Sequence, residues 1–132
     1  MFLLHDMLSR IQNALTLRRR IVLVLRSKFC IEILKVLRND GFIQGFSIYE
    51  KNSKYILISL NYINNISLIK RFKCYSSCSK YIYVNSKKIL KNYNQGFFLF
   101  SNSKYGIITS DFLYKNQNKI NVGGILLFQI LF

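Results

Sequence analysis

Three features of the sequence predict an α+β fold of two small lobes. Apolar residues recur at helical spacing in the first 15 positions, short apolar stretches of strand length follow, and the second half is richer in such stretches than the first. At 132 residues the chain holds one domain or two very small ones packed together. A polar stretch from Asn61 to Ser67 serves as linker, so the lobes are placed at 1–64 and 65–132. The first reads helix, strand, helix, strand, strand. The second is β-rich with short helices.

Leu3, Leu4, Met7, Leu8, Ile11, Ala14 and Leu15 fall on one helical face, and Asp6, Ser9, Arg10 and Asn13 mostly off it. The run Arg18, Arg19, Arg20 closes this helix with cations at its negative end. Ile21 to Leu25 is an unbroken branched-apolar run and reads as a strand. Ser27 is a candidate N-cap for a second helix, with Phe29, Ile31, Leu34, Val36 and Leu37 as its apolar side and Asn39-Asp40-Gly41 as its stop. Phe42 to Tyr49 and Tyr55 to Tyr62 then flank a Lys51-Asn52-Ser53 turn as a hairpin.

In the second lobe, Leu68 to Tyr75 and Lys80 to Val84 are expected to pair across Ser76–Ser79. Lys87 to Tyr93 reads as a short basic helix, and Gly96 opens a strand over Phe97 to Phe100. Ser101 to Gly106 is a polar loop between apolar runs, and Ser110-Asp111 caps a short helix to about residue 118. Gly123-Gly124 introduces a last strand, Ile125 to Phe132. The sequence holds no internal repeat.

Charge and composition narrow the function. Twenty Lys and Arg against five Asp and Glu give a formal charge of +15, which points to a polyanionic partner. A content of 51% hydrophobic and 15% aromatic residues puts that charge on a folded body and not on a disordered tail. The longest apolar runs, Ile21 to Leu25 and Gly124 to Phe128, fall far short of the roughly 20 residues that span a bilayer, so no membrane insertion is expected. His5 and Asp6 interrupt any signal peptide. Residues 1–20 are amphipathic and Arg-bearing, but they are poor in Ser and run straight into the folded domain, which argues against a mitochondrial presequence. Phe, Ile, Asn, Lys and Tyr make up nearly half the chain, while Pro and Trp are absent and Ala14 is the sole alanine. The codons of the first group are AT-rich, so the gene is read as one under AT pressure, as in organelles and some parasites.

Catalytic parts are scarce. The five acids, at positions 6, 32, 40, 50 and 111, form no dyad spacing, His5 is the single histidine, and no phosphate-binding glycine motif occurs. Cys30, Cys74 and Cys78 are an odd number without a disulfide framework, and a structural zinc would need two more ligands than Cys74 and Cys78 supply. No enzyme activity, metal, cofactor or small-molecule substrate is expected. Nucleic-acid binding has the parts instead. Cations interleave with hydroxyls, amides and aromatics at Arg10 with Asn13, Arg18 to Arg20, Arg26-Ser27-Lys28, Lys80 to Tyr83, Lys87-Lys88 and Ser101 to Lys104. Any one of these clusters could be a solvated face; the summed excess could not. Tyr81 and Tyr83 share one face of a strand and either stack on bases or pack the sheet. Ser101 to Ser103 could equally be an ordinary turn, and Gly123-Gly124 a bend at the start of a strand.

The chain resembles ribosomal protein eight of the small subunit. Asp6 to Ala14 is similar to that family's opening helix, DMLTRIRNA. Ser27-Lys28, the helix to Leu37 and Asp40-Gly41-Phe42-Ile43 resemble its SK…VLKEEGFI stretch. Tyr81-Ile82-Tyr83 is similar to its RIY strand, Ser101 to Lys104 with Gly106 to Thr109 to its STSKGVMTD loop, and Val122-Gly123-Gly124 to its closing glycine pair. The resemblance runs along essentially the whole chain. Tyr105 is inserted in the loop, Asn102 replaces Thr, Leu25 replaces a proline, the segment between Gly106 and Gly123 is longer, and Ile125 replaces a glutamate that in the family helps hold the RNA-facing loop.

The resemblance implies a structural constituent of the small ribosomal subunit. It would bind a central-domain helix of the small-subunit rRNA, chiefly through the second lobe, with ribosomal protein five as a neighbour. The implied contacts are Arg10, Asn13, Ser27 and Lys28 on the first lobe, and on the second Tyr81, Tyr83, Ser101, Asn102, Ser103, Lys104, Gly106, Thr109, Gly123 and Gly124. A nonspecific RNA chaperone or single-strand binder is the alternative. An organelle-encoded protein of the mitochondrial ribosome is expected, with the plastid as the other compartment.

Overall fold

A computed structural model of the protein describes residues 2–76, 80–85, 87–88, 97–116 and 124–131. The chain divides into two compact units, Met1–Lys70 and Arg71–Phe132.

In the first unit, α1 (Phe2–Thr16) buries Leu4, Met7, Leu8, Ile11, Ala14 and Leu15. It ends without a glycine. Arg18 takes the left-handed conformation, φ 55°, and its N–H bonds Leu15 O at 3.1 Å while the Arg19 N–H bonds Ala14 O at 2.8 Å. That pair of bonds is a Schellman cap with arginine where glycine is usual. β1 (Ile21–Leu25) follows, then α2 (Lys28–Asn39), whose buried face is Cys30, Ile33, Leu34 and Leu37. Of the expected apolar side only Leu34 and Leu37 belong to this face; Phe29, Ile31 and Val36 are half-buried. Gly41, φ 80°, closes α2 as its sequence predicts, with Phe42 N–H on Leu37 O at 2.9 Å. β2 (Ile43–Ile48) and β3 (Tyr55–Leu60) form the expected hairpin, and the sheet order is β1-β3-β2, antiparallel throughout.

The stretch read as a linker is a hairpin. β4 (Tyr62–Ile63) pairs with β5 (Ile66–Ser67), and the two residues between them, Asn64 and Asn65, have φ of 54° and 65°. Positive φ at both central positions is what a two-residue type I′ turn requires, and asparagine tolerates it. The first unit therefore continues past residue 64, through the buried Ile69, and closes at Lys70, whose carbonyl accepts a bond from Gln12 Nε2 at 3.3 Å.

The second unit is built on its last strand. β6 (Arg71–Cys74), β7 (Tyr83–Val84), β8 (Phe97–Asn102), β9 (Gly106–Thr109), α3 (Ser110–Lys115) and β10 (Gly124–Leu131) make it up. The sheet order is β6-β10-β8-β9, with β7 also on β10. The expected pairing of the 68–75 and 80–84 segments does not occur. β6 pairs with Phe128–Leu131 and β7 with Gly124 and Ile125, so the two take successive stretches of β10's free edge. Leu126 to Ile130 are all buried, which explains the unbroken apolar run. Phe98, Phe100, Ile108, Leu113 and Leu126 form a core cluster. The basic helix expected from Lys87 lies mostly outside the described residues. Lys87 and Lys88 are helical, and Asn85 Oδ1 accepts the Lys88 N–H at 2.9 Å. α3 starts one residue before expectation and is capped by Thr109, whose Oγ1 accepts from Phe112 N–H at 3.1 Å; Ser110 is buried and its Oγ accepts from Phe98 N–H.

Candidate nucleic-acid interface

The register of the second sheet gathers the candidates from the 81–83 and 101–106 segments. Ile125 lies opposite Tyr83 on one side and Ser101 on the other, and Ser101 lies opposite Ile107. Directly opposed residues of antiparallel strands project to the same face, so Tyr83, Ile125, Ser101 and Ile107 form one row. Tyr83 is 72% exposed and Tyr81 50%, so neither packs the sheet; both rings are open to a partner. A residue overlooked in the sequence holds them there. Ser76 is buried, donates its hydroxyl to Leu126 O and accepts the Ile82 N–H at 3.0 Å, which clamps the tyrosine segment to β10. Only its serine-rich setting was visible beforehand, and that pointed to a turn.

Beyond the row, β8 and β9 meet in a tight hairpin through Ser103, Lys104 and Tyr105. Asn102 Oδ1 accepts the N–H groups of Lys104, at 2.7 Å, and Tyr105, at 3.1 Å. The Asn102 carbonyl oxygen is thus committed to the turn. Gly106 has φ 77° and nothing within 4 Å of a Cβ built on it, so its backbone is both left-handed and open to approach. Ser103 and Lys104 are exposed. Lys104 Nζ lies 5.3 Å from the centre of the Tyr105 ring, and that ring lies 6.5 Å from Phe112. The inserted tyrosine therefore rests on α3 and carries the lysine at the hairpin tip.

Two of the expected contacts also have structural duties. Gly124 is needed by the sheet, because a Cβ there would sit 2.1 Å from Ser101 O and 2.9 Å from Ser101 C. Thr109 is buried with its hydroxyl capping α3. Gly123 lies outside the described residues.

On the first unit, Arg10 and Asn13 line an open depression of about 470 Å³ together with Arg19. Arg10 is partly spoken for, with Nε 3.0 Å from Asp6 Oδ2 and Nη1 3.3 Å from Leu23 O. Ser27 and Lys28 do not line this depression. The Ser27 Oγ caps α2 by accepting from Cys30 N–H at 3.1 Å, and Lys28 is exposed at the first helical position. Burial raises the pKa of the Cys30 thiol; the Cys74 thiol, although its residue is exposed, is also raised by partial desolvation; Cys78 is outside the described residues. Among the described residues, no group of three or more His, Cys, Asp or Glu could hold a metal, and no helix is long and apolar enough to cross a membrane.

Comparison with known proteins decides the family. The family model for Ribosomal protein S8 matches residues 3–131. The chain belongs to the ribosomal protein S8 family. Small ribosomal subunit protein uS8 of Phytoplasma mali is 51% identical over 45 residues, which is 34% of this chain and 35% of that protein. The uS8 of Polaromonas naphthalenivorans is 46% identical over 43 residues, 33% of each chain. The uS8c of Phaeodactylum tricornutum is 39% identical over 49 residues, 37% of each. These matches span about a third of the length of the curated relatives. Membership in the S8 family makes this a structural and not a catalytic protein. Ile125 stands at the centre of the Tyr83–Ser101 row, so a branched apolar side chain separates the tyrosine from the serine.

Proposed function

We propose that this chain is a structural constituent of the small ribosomal subunit that binds small-subunit rRNA through the outer row and hairpin tip of its second unit. The observation that carries the reading is the register that brings exposed Tyr83 into line with Ser101, with the hairpin bearing Ser103, Lys104 and open-backed Gly106 beyond it. Tyrosine faces stack on bases or ribose, short hydroxyls and the Asn102 amide reach 2′-OH groups and base edges, and Lys104 meets phosphate. Arg10, Asn13, Ser27 and Lys28 meet a second rRNA segment. A cation at the first position of α2 opposes the helix dipole, so Lys28 does nothing there for the fold and is free to serve a partner. The rRNA partner is the central-domain helix, with ribosomal protein five as a neighbour, and binding supports subunit assembly and translation.

The compartment is an organelle, and the plastid is favoured over the mitochondrion. The support is that two of the relatives, from Phaeodactylum tricornutum and Trieres chinensis, are named uS8c, the chloroplast-type protein. The experiment is a salt titration of the purified chain against the central-domain helix of its own rRNA and a scrambled hairpin of equal length. A preference of roughly 100-fold that survives moderate salt is expected. Equal affinities that fall together with salt would leave a nonspecific RNA chaperone.

A further inference from the structure

The three successive arginines after α1 do not serve one surface. Arg19 lines the depression beside Arg10 and Asn13, whereas Arg18 and Arg20 line a second one, of about 530 Å³, with Gln44, Asn61, Asn64 and Asn65. We infer that this second cleft of the first unit, between the arginine turn and the β4–β5 hairpin, is a separate binding site for an RNA sugar–phosphate backbone.

The cleft is built and not incidental. Tyr62, which also lines it, donates its hydroxyl to Arg19 O, Leu60 N–H bonds Arg20 O at 2.8 Å, and Asn61 Nδ2 bonds Gly41 O at 2.9 Å. These three bonds hold the arginine turn and the β4–β5 hairpin in place as its walls, with Gln44 of β2 and Leu60 of β3 between them. Its lining holds two guanidiniums, four side-chain amides, a tyrosine and a single apolar residue, Leu60, with no carboxylate. Arg18 and Arg20 form no ion pair with an acid among the described residues. Apolar peptide segments find little to bury in such a lining, whereas phosphate finds two forked donors and the 2′-OH finds amides that both give and accept.

Three backbone positions add a separate argument. Arg18 sits at φ 55° in a helix cap and Asn64-Asn65 at φ 54° and 65° in a type I′ turn. Glycine satisfies these conformations with less strain. The local fold thus has no use for the guanidinium at 18 or for the second amide at the hairpin tip. Both project around the same cleft.

The inference rests on the RNA-binding reading above, and its test separates the two. The full-length chain and two variants are titrated with salt against its own rRNA and against the scrambled RNA. Arg18→Gly with Arg20→Gln removes both charges while glycine keeps the cap. Asn64→Gly with Asn65→Gly removes both tip amides while keeping the turn. The arginine variant is expected to lower the salt slope by one to two units on either RNA and to lose about tenfold in affinity. The asparagine variant is expected to lose about threefold to tenfold with the slope unchanged, because its groups meet sugar and base edges. Unchanged slope and affinity in both variants, with unchanged melting, overturns the cleft. So does an arginine variant that binds RNA normally but no longer joins small subunits, which would assign the cleft to a protein neighbour. If wild type shows no preference for its own rRNA, the rRNA reading fails, and the slope difference between wild type and variant still decides the cleft.

Discussion

In the first unit three arginines, Arg18 to Arg20, crowd the turn between α1 and β1; in the second the described cations are spread over separate elements, Arg71 and Lys73 on β6, Lys104 at the β8–β9 hairpin tip and Lys115 on α3. Nine Lys or Arg accompany one acid, Asp111, in the second unit, against eleven with four acids in the first. The difference shows in what the candidate residues do for their own fold. In the first unit the candidate side chains are themselves tied into the fold: Arg10 pairs with Asp6 within α1 and reaches Leu23 O of β1, and Ser27 caps α2. In the second the duties are divided. Gly124, Ser76 and Thr109 build the platform, while Tyr81, Tyr83, Ser103 and Lys104 are exposed on it. A site divided this way can change its contacts without unfolding, and its failures of fold and of binding come from different residues.

Breaking the platform has the largest expected effect. Gly124→Ala drives a methyl to within 2.1 Å of the Ser101 carbonyl, a backbone atom that a side-chain rotation cannot move aside. A loss of about 3 kcal/mol is expected from overpacking of this kind. Hydrogen exchange should show it in β8 and β10 while amides of α1 and β3 keep their protection. Uniform loss across both units would mean that they do not unfold separately.

Ser76→Ala comes next. It strands the Ile82 N–H and the Leu126 carbonyl in a buried setting, at a cost of about 2 kcal/mol. RNA affinity should fall with it, because the exposed tyrosines lose their clamp. Intact affinity in a variant with the expected stability loss would free Tyr81 and Tyr83 from the interface.

Lys104→Ala sharpens the contrast between units. The lysine rests on Tyr105 and forms no ion pair among the described residues, so its removal should cost about tenfold in affinity and about one unit of salt slope at unchanged stability. Arg10→Ala should do the reverse in proportion, with a measurable drop in melting temperature and a smaller change of slope. Equal slopes for Lys104→Ala and wild type would remove that lysine from the phosphate contacts.

How much of this was legible in the sequence follows the range of the interactions. Ser27, Gly41 and the β2–β3 hairpin were readable because a cap, a left-handed stop and a short turn depend on neighbours in sequence. The placement of β6 and β7 on β10 joins residues about 40 to 60 positions apart, and no local pattern announces it. The Asn64-Asn65 turn carried a local signal that its polar surroundings hid, and the motif resemblance could not show that Gly124 is held against Ser101 by the sheet.

Ser27 is where cap and contact can be pulled apart. Ser27→Ala should cost about 1 kcal/mol through the lost cap. Ser27→Asp keeps the cap, restoring most of that stability, and brings a negative charge to the start of α2. If rRNA passes there, Ser27→Asp should bind more weakly than Ser27→Ala despite being the more stable protein. The opposite order would confine Ser27 to the fold.

The smallest effect compares the two described thiols, one in each unit. Cys30 is fully buried against α1's side of the first core and its pKa is raised above 9.0, by burial first, while the Ser27 hydroxyl works the other way. Well below pH 9.0 the thiol is neutral in both folded and unfolded chains and costs nothing. As pH rises past that value the unfolded chain releases its proton before the folded one, so the first unit loses stability until the folded pKa is reached. Cys74, by contrast, is exposed at β6. In a Cys78→Ser background, a thiol reagent at pH 8 should modify Cys74 promptly and Cys30 only at the rate at which the first unit opens. The fall in melting temperature between pH 8 and pH 10 should be shallower in Cys30→Ala than in the parent, measured from each protein's own value at pH 8. Equal slopes would mean that the alkaline loss comes from repulsion relieved elsewhere and not from the buried thiol.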